Sequence, residues 1–278
     1  MSDPHRGELP SPRHITYVHA VLGNDIYNFF GNRVVEYTTA RGDALAIKVK
    51  PPDALDRSEG DMMHYASENG ILAPRVRGVY DIVTTKPIAR VLVSARVSGV
   101  PLSEVWTTLS EPERITIKAE LRSQLACIRA CKQPFIGRIG RQHTRNVYDR
   151  IPQTYCGPFS DEREFDRWCI ARLKGGPLVR WRWQLFLDRE RHRNPGPGEF
   201  VLTHGDLSPR NILVHNGHLS GILDWEKSGF FPGYAEYAFA MVLCHGHEKW
   251  WIPVLEDILP RCSQQRLDFT RLVEDNGF

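Results

Sequence analysis

The stretch "LTHGDLSPRNILV" (Leu202–Val214) constrains this chain more than any other, because it sets a His, an Asp and an Asn between two short apolar runs. The runs read as strands, so they must hold a tight polar loop between them. Gly205 permits a bend there and Pro209 limits backbone freedom. Asp206 follows His204 by two residues, and Asn211 follows Asp206 by five. A short, constrained loop with a carboxylate and an amide at that spacing is a platform for catalytic groups.

The rest of the chain bounds what such a loop serves. With 278 residues, 41% of them apolar, it can bury a substantial core as one bilobal unit or two small domains. The 36 basic and 33 acidic residues are too evenly balanced to point to nucleic acid or to an anionic membrane. The six cysteines form no CxxC pair and the N-terminus carries nothing like a signal peptide, which reads as a reduced, cytoplasmic setting. No apolar run is long enough to span a bilayer, and the C-terminus offers no lipidation signal. Nothing here speaks to oligomeric state.

Three segments follow from the local grammar: a flexible leader over 1–14, an N-lobe over 15–97 and a C-lobe over 98–278. In the first lobe "NRVVEYT" and "ALAIKVK" predict two strands joined through "TARGD", with Lys48 inside the second. "PPDALDRSEGDMMHYASENG" predicts a helix that stops at Asn69-Gly70, and "RVRGVYD" and "ARVLVSARV" predict two more strands. In the second lobe "SEPERITIKAELRSQLACIRACKQ" opens with an N-terminal helix signature at Ser110, and Ile117, Leu121, Leu125 and Ile128 form its buried stripe. An irregular region over 135–160 precedes helices near 161–173 and 177–192; strands at "NILVH" and "LSGILDW" then form a hairpin that carries the polar loop. From Tyr234 onward the pattern is again mainly helical.

In chain order the sequence presents a Lys in a strand, an acid in the next helix, an Asp and an Asn in a loop, and an Asp closing a hairpin. Phosphoryl transfer from a nucleotide needs a cation on the phosphates, an acid to hold that cation, hard oxygen ligands for Mg²⁺ and a carboxylate for the acceptor. Lys48, Glu59, Asn211 with Asp224, and Asp206 suit those roles respectively. Asp61 and Glu68 share the predicted helix with Glu59, and a solvated helix face is the plainer reading of any one acid there. Gly31, in "FFGNRVV", is placed to let the backbone approach phosphate.

These motifs resemble the aminoglycoside phosphotransferase/choline kinase family of small-molecule kinases, in particular its fungal branch. "HGDLSPRN" is similar to that family's catalytic loop and "GILDWE" to its metal-binding segment; "AIKVK", "SEGDMMHYASENGILAPRV" and "ARVSGVPLSEVW" extend the likeness from about Phe29 to Ala240. The resemblance implies an α+β, bilobal, protein-kinase-like fold: a small antiparallel-sheet N-lobe with one main helix and a larger, mostly helical C-lobe. It implies transfer of the γ-phosphoryl group of ATP, with Mg²⁺, to a hydroxyl of a small-molecule metabolite, Asp206 acting as base. It implies further that Glu59 is the family's acid, that His204 braces the catalytic loop, that Glu226 assists metal binding, and that Ser94 and Ala95 in the linker "VSARV" hold the adenine through backbone groups.

A protein kinase would carry Arg where Gly205 stands, Lys where Ser208 stands and Phe-Gly where Trp225-Glu226 stand. Only about ten residues separate Asp224 from the next predicted helix, too few for an activation loop or a peptide-docking platform. A catalytically idle pseudokinase that binds nucleotide or a partner is the alternative from another class, and the joint presence of Lys48, Asp206, Asn211 and Asp224 argues against it. The aromatic-basic run with Trp168, Trp181 and Trp183 suits either an acceptor pocket or burial between helices. His245 and His247 lack a third ligand for zinc.

Overall fold

The computed structural model describes residues 20–29, 32–149, 154–193 and 198–275. The leader over 1–14 and Gly31 lie outside the described residues. The chain divides into two compact units, one built from the part before Arg57 with Arg77–Arg96, the other from Arg57–Val76 and the part from Val97 onward.

The first unit is a five-stranded sheet: β1 (Asn24–Phe29), β2 (Asn32–Thr38), β3 (Ala44–Lys50), β4 (Val76–Val83) and β5 (Pro87–Ala95), in the order β1-β2-β3-β5-β4. β1, β2, β3 and β5 pair antiparallel in turn. The β-branched and small residues that favour a pleated surface also build its core, with Val35, Val49, Ala89 and Val91 buried and Ile47, Ile82 and Val93 packed against them. β1 was not foreseen; its sequence NDIYNF lacks a clean two-residue apolar alternation.

The second unit contains α1 (Arg57–Glu68), β6 (Val100–Pro101), α2 (Leu102–Val105), α3 (Glu111–Ala130), β7 (Lys132–Gln133), β8 (Thr144–Arg145) and β9 (Tyr155–Cys156). α4 (Glu162–Ala171), α5 (Pro177–Arg193), β10 (Phe200–Thr203), β11 (Ile212–His215), β12 (His218–Ile222), β13 (Gly229–Phe231), α6 (Ala235–Leu243), α7 (Ile252–Ile258) and α8 (Gln264–Asp275) complete it. α3 buries the expected stripe, Ile117, Leu121, Leu125 and Ile128, and Ser110 and Glu113 close a capping box at its start. On α4, Phe165 and Trp168 pack against each other and against Phe159, and Phe165 meets Phe231. Deeper still, Arg266 on α8 holds Glu162, Asp166 and Glu190, which ties α4, α5 and α8 into one charged, buried knot. Its multiple partners are what make so buried a guanidinium tenable.

The expected hairpin forms, with β11 and β12 antiparallel, and the polar loop leads into it from β10, which belongs to another sheet, β13-β10-β7. One arrangement differs from the sequence expectation: α1 groups with the larger unit rather than with the strands that flank it in sequence. The physical reason is a fully buried arginine. Arg138 Nη1 donates to Ser58 Oγ at 2.7 Å, Nε donates to Ser228 O at 3.2 Å, and Nη2 donates to Glu226 O, stitching the start of α1 to the segment after Asp224. Of the three tryptophans, Trp168 and Trp183 pack against aromatic neighbours, while Trp181 is 60% exposed.

Candidate active site

In the first unit Lys48 lies half-buried in the middle of β3, opposite Val34 on β2 and Leu92 on β5. Ser94 and Ala95 end β5, opposite Ala46 and Leu45.

The second unit holds the remaining candidates. Glu59 sits in the first turn of α1 and is buried. The loop from His204 to Asn211 is built by close approach: Gly205 has φ +81°, and a Cβ on it would stand 2.5 Å from Lys227 O, so only glycine fits. His204 is fully buried, and its Nε2 lies 2.8 Å from Leu223 O. A carbonyl only accepts, so Nε2 carries the proton and Nδ1 is left to accept from Asp206 N–H at 3.3 Å. Leu223 N–H in turn donates to Asn211 O at 2.7 Å. These bonds lash the stretch just before Asp224 to the loop that carries Asp206 and Asn211. Asn211 Nδ2 donates to Asp206 O at 3.0 Å.

Asp224 adopts a left-handed backbone, φ 62°, followed by a short turn over Trp225–Lys227. Trp225 is buried under the His204 ring and donates its indole N–H to Ile222 O. The strained Asp conformation is of the kind found at functional positions.

Sequence reasoning missed three side chains. Glu236, at the start of α6, accepts from the N–H groups of His204 and Gly205. Burial pushes its carboxyl pKa up, opposed by His204 and by those two N–H groups. Arg210 reaches back to Asp206 and on to Glu248, which lies in the turn Gly246–Trp251. Burial disfavours the charge on Arg210, but Asp206 and Glu248 outweigh it and raise its pKa above the ordinary guanidinium value. Arg210 was in view within "HGDLSPRN"; Glu236 and Glu248, 31 residues beyond that loop's Gly and 38 beyond its Arg, left no local signal.

The donor chemistry fits a hard cation. With Asn211 Nδ2 committed to Asp206 O, its Oδ1 is the amide atom that remains for a ligand, and Asp224 and Glu226 bring carboxylates on the adjoining segment. Ser208 Oγ is buried in the same loop with no hydrogen-bond partner among the described residues, a polar atom suited to a bound group. Among the described residues no cluster of three or more His, Cys, Asp or Glu side chains could hold a metal by itself. Mg²⁺ takes few protein ligands and leans on substrate phosphates. His245 and His247 stack on each other at the surface.

A sheet unit carrying a strand lysine, and a helical unit whose loop sets Asp and Asn against a second Asp, define a phosphotransferase of the kinase kind. The chain belongs to the Phosphotransferase enzyme family (APH), whose profile matches residues 29–260, and it is an enzyme, a small-molecule kinase dependent on ATP and Mg²⁺. It is 27% identical to an aminoglycoside 3'-phosphotransferase of Streptomyces fradiae, over 82% of this chain and 80% of that protein. Among solved structures it is similar to a thermostable mutant of aminoglycoside phosphotransferase APH(4)-Ia in its apo form, with a TM-score of 0.58 and 16% identity over 91% of this chain and 84% of the other. A Thermobifida fusca protein assigned as a fructosamine-3-kinase gives a TM-score of 0.59 at 17% identity, covering 91% and 93% of the two chains. Among the described residues no helix is long and apolar enough to cross a membrane.

Proposed function

We propose that this enzyme transfers the γ-phosphoryl group of ATP to a hydroxyl of a compact metabolite, with Asp206 as the base. The observation that carries the reading is the pair of bonds from Leu223, to His204 Nε2 through its carbonyl and to Asn211 O through its N–H, which holds Asp224 against the Asp206–Asn211 loop. Asp206 accepts the proton of the acceptor hydroxyl, the acceptor oxygen bonds to the γ-phosphorus, and the bond from that phosphorus to the bridging oxygen breaks to release ADP. Asn211 and Asp224, with Glu226 alongside, hold Mg²⁺. The cation, when bound, neutralises charge on the phosphates. Lys48 adds a second cation for the phosphates, Glu59 is the family's acid on α1, and Gly31, Ser94 and Ala95 serve the nucleotide. His204 keeps the loop in shape.

The segment after Asp224 supports a small acceptor. Of its ten residues before α6, three form the Trp225–Lys227 turn and three form β13, which pairs with β10 and is buried, so no free run long enough to dock a polypeptide is left. Membership of a fungal branch of the family is part of the same reading, as is a cytoplasmic setting, which six free cysteines suit.

The test is a panel in which Mg²⁺·ATP is offered with an aminoglycoside, hygromycin B, a fructosamine, choline, simple sugars, hydroxylated aromatics and generic peptides, read as phosphorylated product by mass spectrometry. Transfer to at least one small hydroxyl compound and to no peptide is expected. Peptides modified while every small molecule stays untouched would overturn the reading; silence across a metabolite extract despite tight Mg²⁺·ATP binding would mean an idle relative.

A further inference from the structure

Arg210 has no part in the roles assigned above, yet it makes the most direct side-chain contact with the base. Its Nη2 donates to both carboxylate oxygens of Asp206, at 2.9 and 3.2 Å, and its Nη1 donates to Glu248 Oε2 at 3.0 Å. The Glu248 side chain is only 4% exposed. Its own backbone is secured: the N–H donates to His245 O at 2.9 Å, and Cys244 Sγ donates to its carbonyl at 3.4 Å. The same turn grips the catalytic loop a second time, where Trp251 Nε1 donates to Leu207 O at 3.1 Å. Asp206 is therefore held at both ends, its carbonyl by Asn211 and its carboxylate by Arg210.

We propose that Arg210, anchored by Glu248, is a positioning residue that aims the Asp206 carboxylate at the acceptor hydroxyl. The proposal rests on Asp206 being the base. An aspartate in a loop turns about two side-chain torsions, and a base that wanders from the productive geometry loses most of its advantage. One guanidinium nitrogen bridging both oxygens stops that rotation. It does so without capping the base, because each carboxylate oxygen retains lone-pair capacity for a hydroxyl. Glu248 has two effects: it fixes the far end of the guanidinium, and it keeps the trio at one net negative charge, so the arginine does not simply cancel the base. Lysine at this position would supply a point charge but not the fork that reaches both carboxylates at once.

A double-mutant cycle tests this, with ADP formation from Mg²⁺·ATP in water and transfer to whichever hydroxyl compound the panel yields as the readouts. Arg210→Met is expected to lower kcat by about tenfold to a hundredfold with KM for Mg²⁺·ATP within about twofold of the parent, and Arg210→Lys to recover only part of the loss. In an Asp206→Asn background the same Arg210→Met change should cost less than about twofold more, because a residue acting through Asp206 has nothing left to aim. An Arg210→Met enzyme with full kcat, or one that loses the same factor in the Asp206→Asn background, overturns the proposal. Should Arg210→Met not fold, parental kcat in both Arg210→Lys and Glu248→Gln overturns it equally. Undiminished turnover in Asp206→Asn alone is the separate failure, that of the base, and the proposal falls with it.

Discussion

Asp206 and Asp224 stand on one folded loop system but carry different constraints, and substitutions separate them. Asp206→Asn preserves shape while removing proton affinity and one of the two oxygens that Arg210 meets, so kcat is expected to fall by about two to four orders of magnitude with nucleotide affinity little changed. Parallel titration calorimetry and turnover check this; affinity that falls with the rate would make Asp206 a structural residue. Asp224 is better probed with Asn than with Ala, because its backbone is left-handed, a region Asn tolerates and Ala does not. Asp224→Asn is expected to fold and to lose Mg²⁺-dependent ATP binding, and a calorimetric Mg²⁺·ATP affinity equal to the parent's would remove it from the metal site. Both residues were legible in "HGDLSPRN" and "GILDWE" because their spacing along the chain is itself the constraint. Glu248 was not: the eye rests on the two histidines of "CHGHEKWW", whereas the carboxylate beside them is the buried one.

Elements are tied to the catalytic loop by single buried side chains, and α6 is the clearest case. Glu236 fixes the helix start to the His204 and Gly205 N–H groups, so Glu236→Ala leaves two buried donors without an acceptor at a cost of about 2–5 kcal/mol. The expected readout is a lower denaturant midpoint with an unchanged slope; a midpoint equal to the parent's would show that water or relaxation replaces the carboxylate. The helices themselves were readable: α3 announces its buried stripe by apolar residues three and four apart and its start by Ser110, Pro112 and Glu113. Their allegiance was not. α1 follows β3 directly in sequence, yet Arg138, some 80 residues downstream of Ser58, joins it to the segment after Asp224. No local period records a bond across that distance.

At the scale of the whole molecule, each unit keeps its own core, and nucleotide binding adds stability by mass action. Mg²⁺·ATP at about one hundred times its Kd is expected to stabilise the fold by about 2.7 kcal/mol, seen as a rise in melting temperature that EDTA abolishes. No shift with Mg²⁺·ATP, at concentrations that support turnover, would contradict a nucleotide site in the folded chain. The sequence alone determined the kind of molecule this is, because strand and helix periods are local and because a Lys, an Asp, an Asn and a second Asp in this order and spacing are the motif of the phosphotransferase family. It determined equally that the segment after Asp224 is short. Tertiary structure decided the rest: that β10 and β11 enter different sheets, that α1 packs with the larger unit, that Trp181 faces solvent while Trp168 is half-buried among aromatic rings, and that an arginine clamps Asp206. Each of these depends on which distant groups desolvate one another, and burial is a property of the packed chain, not of any stretch of it.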